Sequence, residues 1–325
     1  MLKAIAVLAA TILSSPGAFA QSITRLDAVS GASQIDDKTQ TQDVRFRNTG
    51  NDRMTVAVHL AGTGPYRFLV DTGADRTAVS SAIVAKLDLP RGEAAELHSA
   101  TGVTSVTTAR VPNVELTKPS HKLIEAAVLE SANMGADGIV GSDMLRSQRV
   151  QFDFEKKTMS IVPSDMPDFR DEPGTIVVEA RRKNGRLIVT DAIANGKTLV
   201  VVLDTGSEIC IGNQALRDRL LGRSLVDAKQ KVELESVTGA KMSGDYMFIR
   251  NLEVGGIGVQ DLAVVFAEAH TFKQLKLDRT PALLLGMNAF RAFKKVSIDF
   301  ANRKFRVVVP EHSENETRLA LRTGN

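Results

Sequence analysis

The 325-residue sequence has no tryptophan, two tyrosines and one cysteine, and it has no apolar run long enough to span a bilayer. So few flat rings argue against a stacking platform for bases or sugars. A lone cysteine excludes an intrachain disulfide, so stability must come from packing. Cys210 sits in the run Ile209-Cys210-Ile211 and reads as a buried small hydrophobe rather than a nucleophile. The five histidines, His59, His98, His121, His270 and His312, are scattered. No pair has helical ligand spacing, so no metal and no cofactor is expected. The net charge of +3, from 41 basic and 38 acidic residues, gives no reason to expect nucleic acid or an anionic membrane surface as partner. There is no nucleophile-elbow serine and no glycine-rich phosphate loop.

The N-terminus has the three parts of a secretory leader. Lys3 precedes the apolar stretch Ala4 to Leu13, a breaker follows at Pro16-Gly17, and Ala18-Phe19-Ala20 supplies a small-residue cleavage site. Residues 1–20 are therefore expected to be a signal peptide, with the mature chain beginning at Gln21. Export to the periplasm, or secretion, is expected, with no stable membrane insertion after cleavage. Residues 21–42 are polar and read as an arm or a propeptide, and residues 311–325 as a polar tail.

Between these flanks the chain repeats itself. Phe68-Leu69-Val70-Asp71-Thr72-Gly73-Ala74-Asp75 matches Val201-Val202-Leu203-Asp204-Thr205-Gly206-Ser207-Glu208. Ser99-Ala100-Thr101-Gly102 matches Ser236-Val237-Thr238-Gly239, Ile139-Val140-Gly141 matches Leu284-Leu285-Gly286, and Phe152-Asp153-Phe154 matches Ile298-Asp299-Phe300. The order is conserved between the copies, and the offset grows from 133 to 146 positions. Strands are expected at 44–47, 54–60 and 66–70, and again at 175–180, 186–194 and 198–203. The turns between them are expected at 48–52, 62–65, Asn184-Gly185 and Asn195-Gly196. Short helices are expected at 81–87 and 213–221. The class is all-β with few short helices. The halves are residues 43–163 and 175–310, joined by a proline-containing linker at 164–174.

One Asp-Thr-Gly tripeptide is a weak turn signal. Two, each after an apolar β-run, point to chemistry. Hydrolysis without metal or covalent nucleophile needs one carboxylate to take a proton from water and one carboxylic acid to give a proton to the carbonyl oxygen. Two carboxyls held about 3 Å apart share a single proton, so an acid and a base coexist without histidine. Asp71 and Asp204 are the candidate catalytic pair, and the glycines after the threonines allow close backbone approach.

These motifs resemble the retroviral-type (retropepsin-like) aspartic peptidases, in a fused two-lobe form found in bacteria. The resemblance covers roughly residues 43–163 and 175–310. It implies two pseudo-twofold-related β-barrel lobes with the active site in the cleft between them. It further implies an endopeptidase acting on a protein or peptide substrate, as a monomer with an intramolecular pseudo-dimer. By the resemblance Thr72, Gly73, Thr205, Gly206 and Ser207 support the dyad. Ile139-Val140-Gly141 and Leu284-Leu285-Gly286 thread behind the catalytic turns. Thr101, Gly102, Thr238 and Gly239 are flap tips that touch substrate, as do Ala74, Asp75 and Glu208.

The pattern departs from the family where an arginine is expected after the aliphatic glycine. Gly141-Ser142-Asp143 and Gly286-Met287-Asn288 stand there, and Arg146 and Arg291 are the candidate substitutes. The two turns also differ, Ala74 against Ser207. A serine hydroxyl donated to the neighbouring carboxylate would favour its ionised form, so Asp204 is expected as the base and Asp71 as the acid. The rival expectation is a catalytically inactive peptide-binding or scaffold module of the cell envelope. A third expectation, exchange of lobes between two chains, keeps the chemistry and changes the assembly.

Overall fold

A computed structural model of the chain describes residues 5–6, 11–12, 44–45, 54–116, 123–169, 172–220 and 225–310. The expected arm at 21–42 and tail at 311–325 lie outside the described residues, as does most of the expected leader. Among the described residues no helix is long and apolar enough to cross a membrane.

Both lobes are built from short strands whose alternating burial turns one face inward. Thr55–Leu60 buries Val56, Val58 and Leu60 and leaves the residues between them partly exposed, the two-residue period of a half-buried strand. Its hairpin to Thr63–Val70 turns at Ala61-Gly62, both with positive φ (51° and 75°). The turn expected at 62–65 is thus displaced, because Thr63 to Pro65 belong to the strand. Asn184-Gly185 and Asn195-Gly196 turn as expected, each with two positive φ angles, the pairing that two-residue hairpins favour. Ser80 caps helix Ser81–Lys86 by accepting the Ile83 N–H, and Asn213 Oδ1 accepts the Leu216 N–H at the start of helix Gln214–Leu220.

The first lobe is a six-stranded sheet in the order Thr55–Leu60, Thr63–Val70, Gly138–Val140, Ala78–Ser80, Ile124–Leu129, Thr108–Val111. The second repeats its centre: Arg186–Ala194, Lys197–Leu203, Ala282–Leu285, Cys210–Gly212, Ile257–Phe266. Each lobe carries a hairpin over the cleft. The N-terminal flap joins Ala95–Ser99 to Gly102–Val106, and the C-terminal flap joins Leu225–Glu235 to Lys241–Val254.

A third sheet joins the lobes. Its order is Thr175–Glu179, Lys304–Val308, Lys295–Asp299, Gln148–Asp153, Thr158–Pro163, Val44–Arg45, so strands of both halves pair in it. The segment expected as a linker is tied to this sheet. Buried Arg149 donates to the carbonyls of Met166 and Pro167, and Asp168 meets Arg306 at 2.9 Å. Buried charges of both signs compensate one another here. The fold is all-β in class, with two pseudo-twofold-related lobes about a central cleft.

Candidate active site

Each Asp-Thr-Gly turn is held from behind by the aliphatic segment of its own lobe. Gly138–Val140 runs parallel to Phe68–Val70 and antiparallel to Ala78–Ser80, and the Val140 carbonyl accepts the Asp71 N–H at 3.0 Å. Ala282–Leu285 lies likewise between Val200–Leu203 and Cys210–Gly212, with Leu285 O accepting the Asp204 N–H at 3.1 Å. The glycine ending each segment is required by space. A Cβ on Gly141 would stand 2.4 Å from the Arg76 carbonyl carbon, and one on Gly286 2.7 Å from that of Ile209.

The residues after these glycines have a backbone role. Asp143 Oδ1 accepts the N–H and the hydroxyl of Thr77, and the Thr77 hydroxyl accepts the Gly141 N–H. In the second lobe Asn288 Oδ1 accepts the Cys210 N–H, and Cys210 Sγ accepts the Gly286 N–H at 3.3 Å. Cys210 therefore stands where Thr77 stands in the first lobe. Burial pushes its thiol up to about 12, as suits a packed residue rather than a thiolate nucleophile.

The two threonines join the lobes beneath the aspartates. The Thr72 hydroxyl donates to Leu203 O (3.0 Å) and accepts the Thr205 N–H (3.0 Å). The Thr205 hydroxyl donates to Val70 O (2.7 Å) and accepts the Thr72 N–H (3.1 Å). All four bonds are buried, and each crosses from one lobe to the other.

This grip brings the carboxyls together. Asp71 Oδ1 accepts the Gly73 N–H at 2.7 Å, and Asp204 Oδ1 accepts the Gly206 N–H at 3.1 Å. A Cβ on Gly73 would lie 2.6 Å from Asp204 Oδ1 and 3.1 Å from Asp71 Oδ1, so both carboxyls meet at one glycine. Asp71 is 1% exposed and Asp204 is fully buried. Burial first, then the charge of Asp71 beside it, pushes Asp204 well above the usual carboxylate range. Both causes favour the protonated form of Asp204, which runs against the expectation of Asp204 as the base. Its premise fails as well, because the Ser207 hydroxyl donates to Ile209 O at 2.7 Å and leaves Asp204 alone.

Arg186 went unnoticed in the sequence. It lies at the start of a second-lobe strand, is 1% exposed, and reaches the first lobe's turn, where Nε donates to Gly73 O at 2.5 Å and Nη1 lies 3.5 Å from Asp75 Oδ1. Its charge opposes the upward shift of Asp204. A signal was available: Asn51-Asp52-Arg53 and Asn184-Gly185-Arg186 each put their arginine 18 positions before the aspartate of their own half. In the second lobe Arg291 meets Glu208 at 2.8 Å, as its candidacy anticipated. Arg186, rather than Arg146, is the cation beside Asp75. Burial raises the Asp75 carboxyl against the opposing pull of Arg186.

The flaps are closed. The side chain of Ala100 lies in the apolar cluster of the second lobe with Ile209 and Phe272, and Val237 lies in that of the first lobe with Leu69 and Ala78. Ala74, expected against substrate, belongs to the same first-lobe cluster. The flap residues Thr101 and Thr238 come together through Ser236, whose hydroxyl accepts from Thr101 at 3.1 Å and lies 2.7 Å from that of Thr238. Gly102 and Gly239 follow them with positive φ (144° and 77°). Among the described residues no group of three metal-ligating side chains occurs.

Comparison with family models agrees with this geometry. The model for gag-polyprotein aspartyl protease matches residues 56–147, and the model for aspartyl protease matches residues 190–289. The two spans fall one on each lobe and together take in more than half of the chain. The chain is a two-lobed, retropepsin-like protein of the aspartyl protease family. No curated protein matches it.

Proposed function

We propose that the chain is an aspartic endopeptidase that hydrolyses peptide bonds in extended protein segments. The observation that carries this reading is the convergence of Asp71 and Asp204 at Gly73 on a four-bond threonine grip. In this reading Asp71, ionised, takes a proton from a water, and the water oxygen attacks the peptide carbonyl. Asp204 gives its proton to the carbonyl oxygen. Collapse of the tetrahedral species breaks the C–N bond; the proton held by Asp71 passes to the leaving amine, and Asp204 takes back its proton from the hydroxyl that re-forms the carbonyl. Buried Asp204 Oδ2 has no hydrogen-bond partner among the described residues, which suits a group that faces substrate.

The flap edges support an extended peptide as ligand. Ile5–Ala6 pairs in parallel with Leu97–His98 of the N-terminal flap, and Thr11–Ile12 pairs antiparallel with Leu234–Glu235 of the C-terminal flap. Backbone pairing at a free strand edge is a general mode of peptide capture. With the flaps lifted, Asp75 and Glu208 are the candidates for holding the peptide backbone. The leader-like N-terminus supports export to the periplasm.

The test is cleavage of a denatured protein by wild type, Asp71→Asn and Asp204→Asn, with and without pepstatin. Loss of cleavage in both variants is expected. Cleavage that survives either substitution refutes the dyad, and peptide binding without cleavage by the wild type favours the envelope binding module.

A further inference from the structure

The N-terminal flap is fastened to the second lobe at one helix, His270–Gln274. The backbone N–H of His270 donates to Ala100 O at 2.8 Å. Its ring meets that of His98 on the flap strand edge to edge, tilted 25° with centroids 5.1 Å apart and Nε2 2.8 Å from His98 Nδ1. A third tie joins Thr101 to Ser236. Apolar burial holds the two flaps unequally. Ala100 offers one methyl to the opposite lobe, whereas Val237 buries a whole isopropyl group, and the C-terminal flap tip also abuts Asn133 at Gly239. The N-terminal flap therefore depends more on its polar ties. With Asp71 and Asp204 buried, a peptide reaches them only when a flap lifts.

The bond between two imidazoles depends on their protons. A neutral pair has one N–H facing one lone pair. A first proton keeps that arrangement and strengthens it, since an imidazolium then donates to an imidazole. A second proton leaves two N–H groups and two positive charges facing each other at hydrogen-bond distance, and the bond is lost.

Resting on the peptidase reading, we propose that His98 and His270 are positioning residues of the cleft. Holding at most one proton between them, they latch the N-terminal flap shut, and a second proton releases it to admit peptide. Among the described residues the charges facing the pair are Lys273 on the helix of His270 and, on the side of His98, Asp75 with Arg186, Arg76 and Asp143 around it. Burial, His98 and Lys273 all lower His270 from its ordinary value. Release is therefore placed on the acid side of the usual histidine range, where a dyad that must keep one proton also works.

The test is deuterium exchange of residues 95–106 in full-length Asp71→Asn protein, corrected for intrinsic rates, from about pH 7.5 to about 4.5. KM and kcat are measured over the same range in the otherwise wild-type chain. Flap protection is expected to fall roughly tenfold as the second proton binds, with KM rather than kcat following it. His270→Ala is expected to remove protection at every pH. His98→Gln, which keeps a neutral hydrogen bond to either form of His270, is expected to hold the flap shut into acid. Exchange of residues 282–285 reports on global unfolding. Wild-type protection independent of pH, or acid release unchanged in His98→Gln, overturns the latch. Acid release with no cleavage by any form preserves the latch and sinks the peptidase reading.

Discussion

The hydroxyls of Thr72 and Thr205 are exchanged between the lobes: each donates to the carbonyl just before the other lobe's aspartate and accepts the other threonine's N–H. The aspartates' positions are thereby set by contacts across the lobe interface. Thr205→Val keeps the shape but leaves the Val70 carbonyl and the Thr72 N–H buried without partners. It is expected to cost about 2–4 kcal/mol and to lower kcat/KM by at least tenfold through misplaced carboxyls. Thr205→Ser keeps the hydroxyl and most of both. Urea unfolding and steady-state kinetics check this.

Gly73→Ala places a methyl where Asp204 Oδ1 now lies 2.6 Å away. Cleavage is expected to fall about a hundredfold or more in a protein that still folds by circular dichroism. Gly258→Ala, with nothing within 4 Å of its Cβ, serves as the control and is expected to be neutral.

Asp204 carries a cost in stability. Its carboxyl is raised in the folded protein and titrates near 3.9 in the unfolded chain. The unfolded state therefore releases its proton first as pH rises. The contribution of Asp204 to stability is greatest below about pH 4 and is lost as pH climbs toward the folded value. Asp204→Asn removes that decline. It is expected to be more stable than wild type at neutral pH, with the difference shrinking in acid, by urea titration at several pH values.

The pH limits of the dyad are expected to depend on Arg186 rather than on Ser207. Ser207→Ala loses only the bond to Ile209 O and is expected to leave the pH–rate profile in place. Arg186→Met removes a cation that opposes the upward shift of Asp204, so the alkaline limb is expected to move to higher pH. The same variant loses the bond to Gly73 O and the cation beside Asp75 and should unfold at lower urea concentration. A profile moved by Ser207→Ala and not by Arg186→Met would reverse the assignment.

The aspartates, their threonines and the segments threading behind them were legible because each leaves a local mark, an apolar β-run into a turn, and because each mark occurs twice. The Asn213 cap and the two Asn-Gly hairpins were legible from local residue type, whereas the first helix is capped by Ser80, one residue before its expected start. Ser207 was misjudged because a hydroxyl beside an aspartate in sequence has several acceptors in reach, and the backbone path decided for Ile209 O. The turn at Ala61-Gly62 was missed because Gly64 and Pro65, both turn-forming residues, lie in the strand that follows it.

The sequence by itself determined the strand periods, the two Asp-Thr-Gly turns and, through its single cysteine, the lack of an intrachain disulfide, since these follow from residue type and spacing along the chain. Only the tertiary structure decided which side chains meet across the cleft. Arg186 on Gly73, 113 positions away, His98 on His270, 172 away, and the crossed threonines, 133 apart, all depend on how two lobes dock. That docking is set by burial summed over many residues in both lobes and the joining sheet, and no local pattern encodes it.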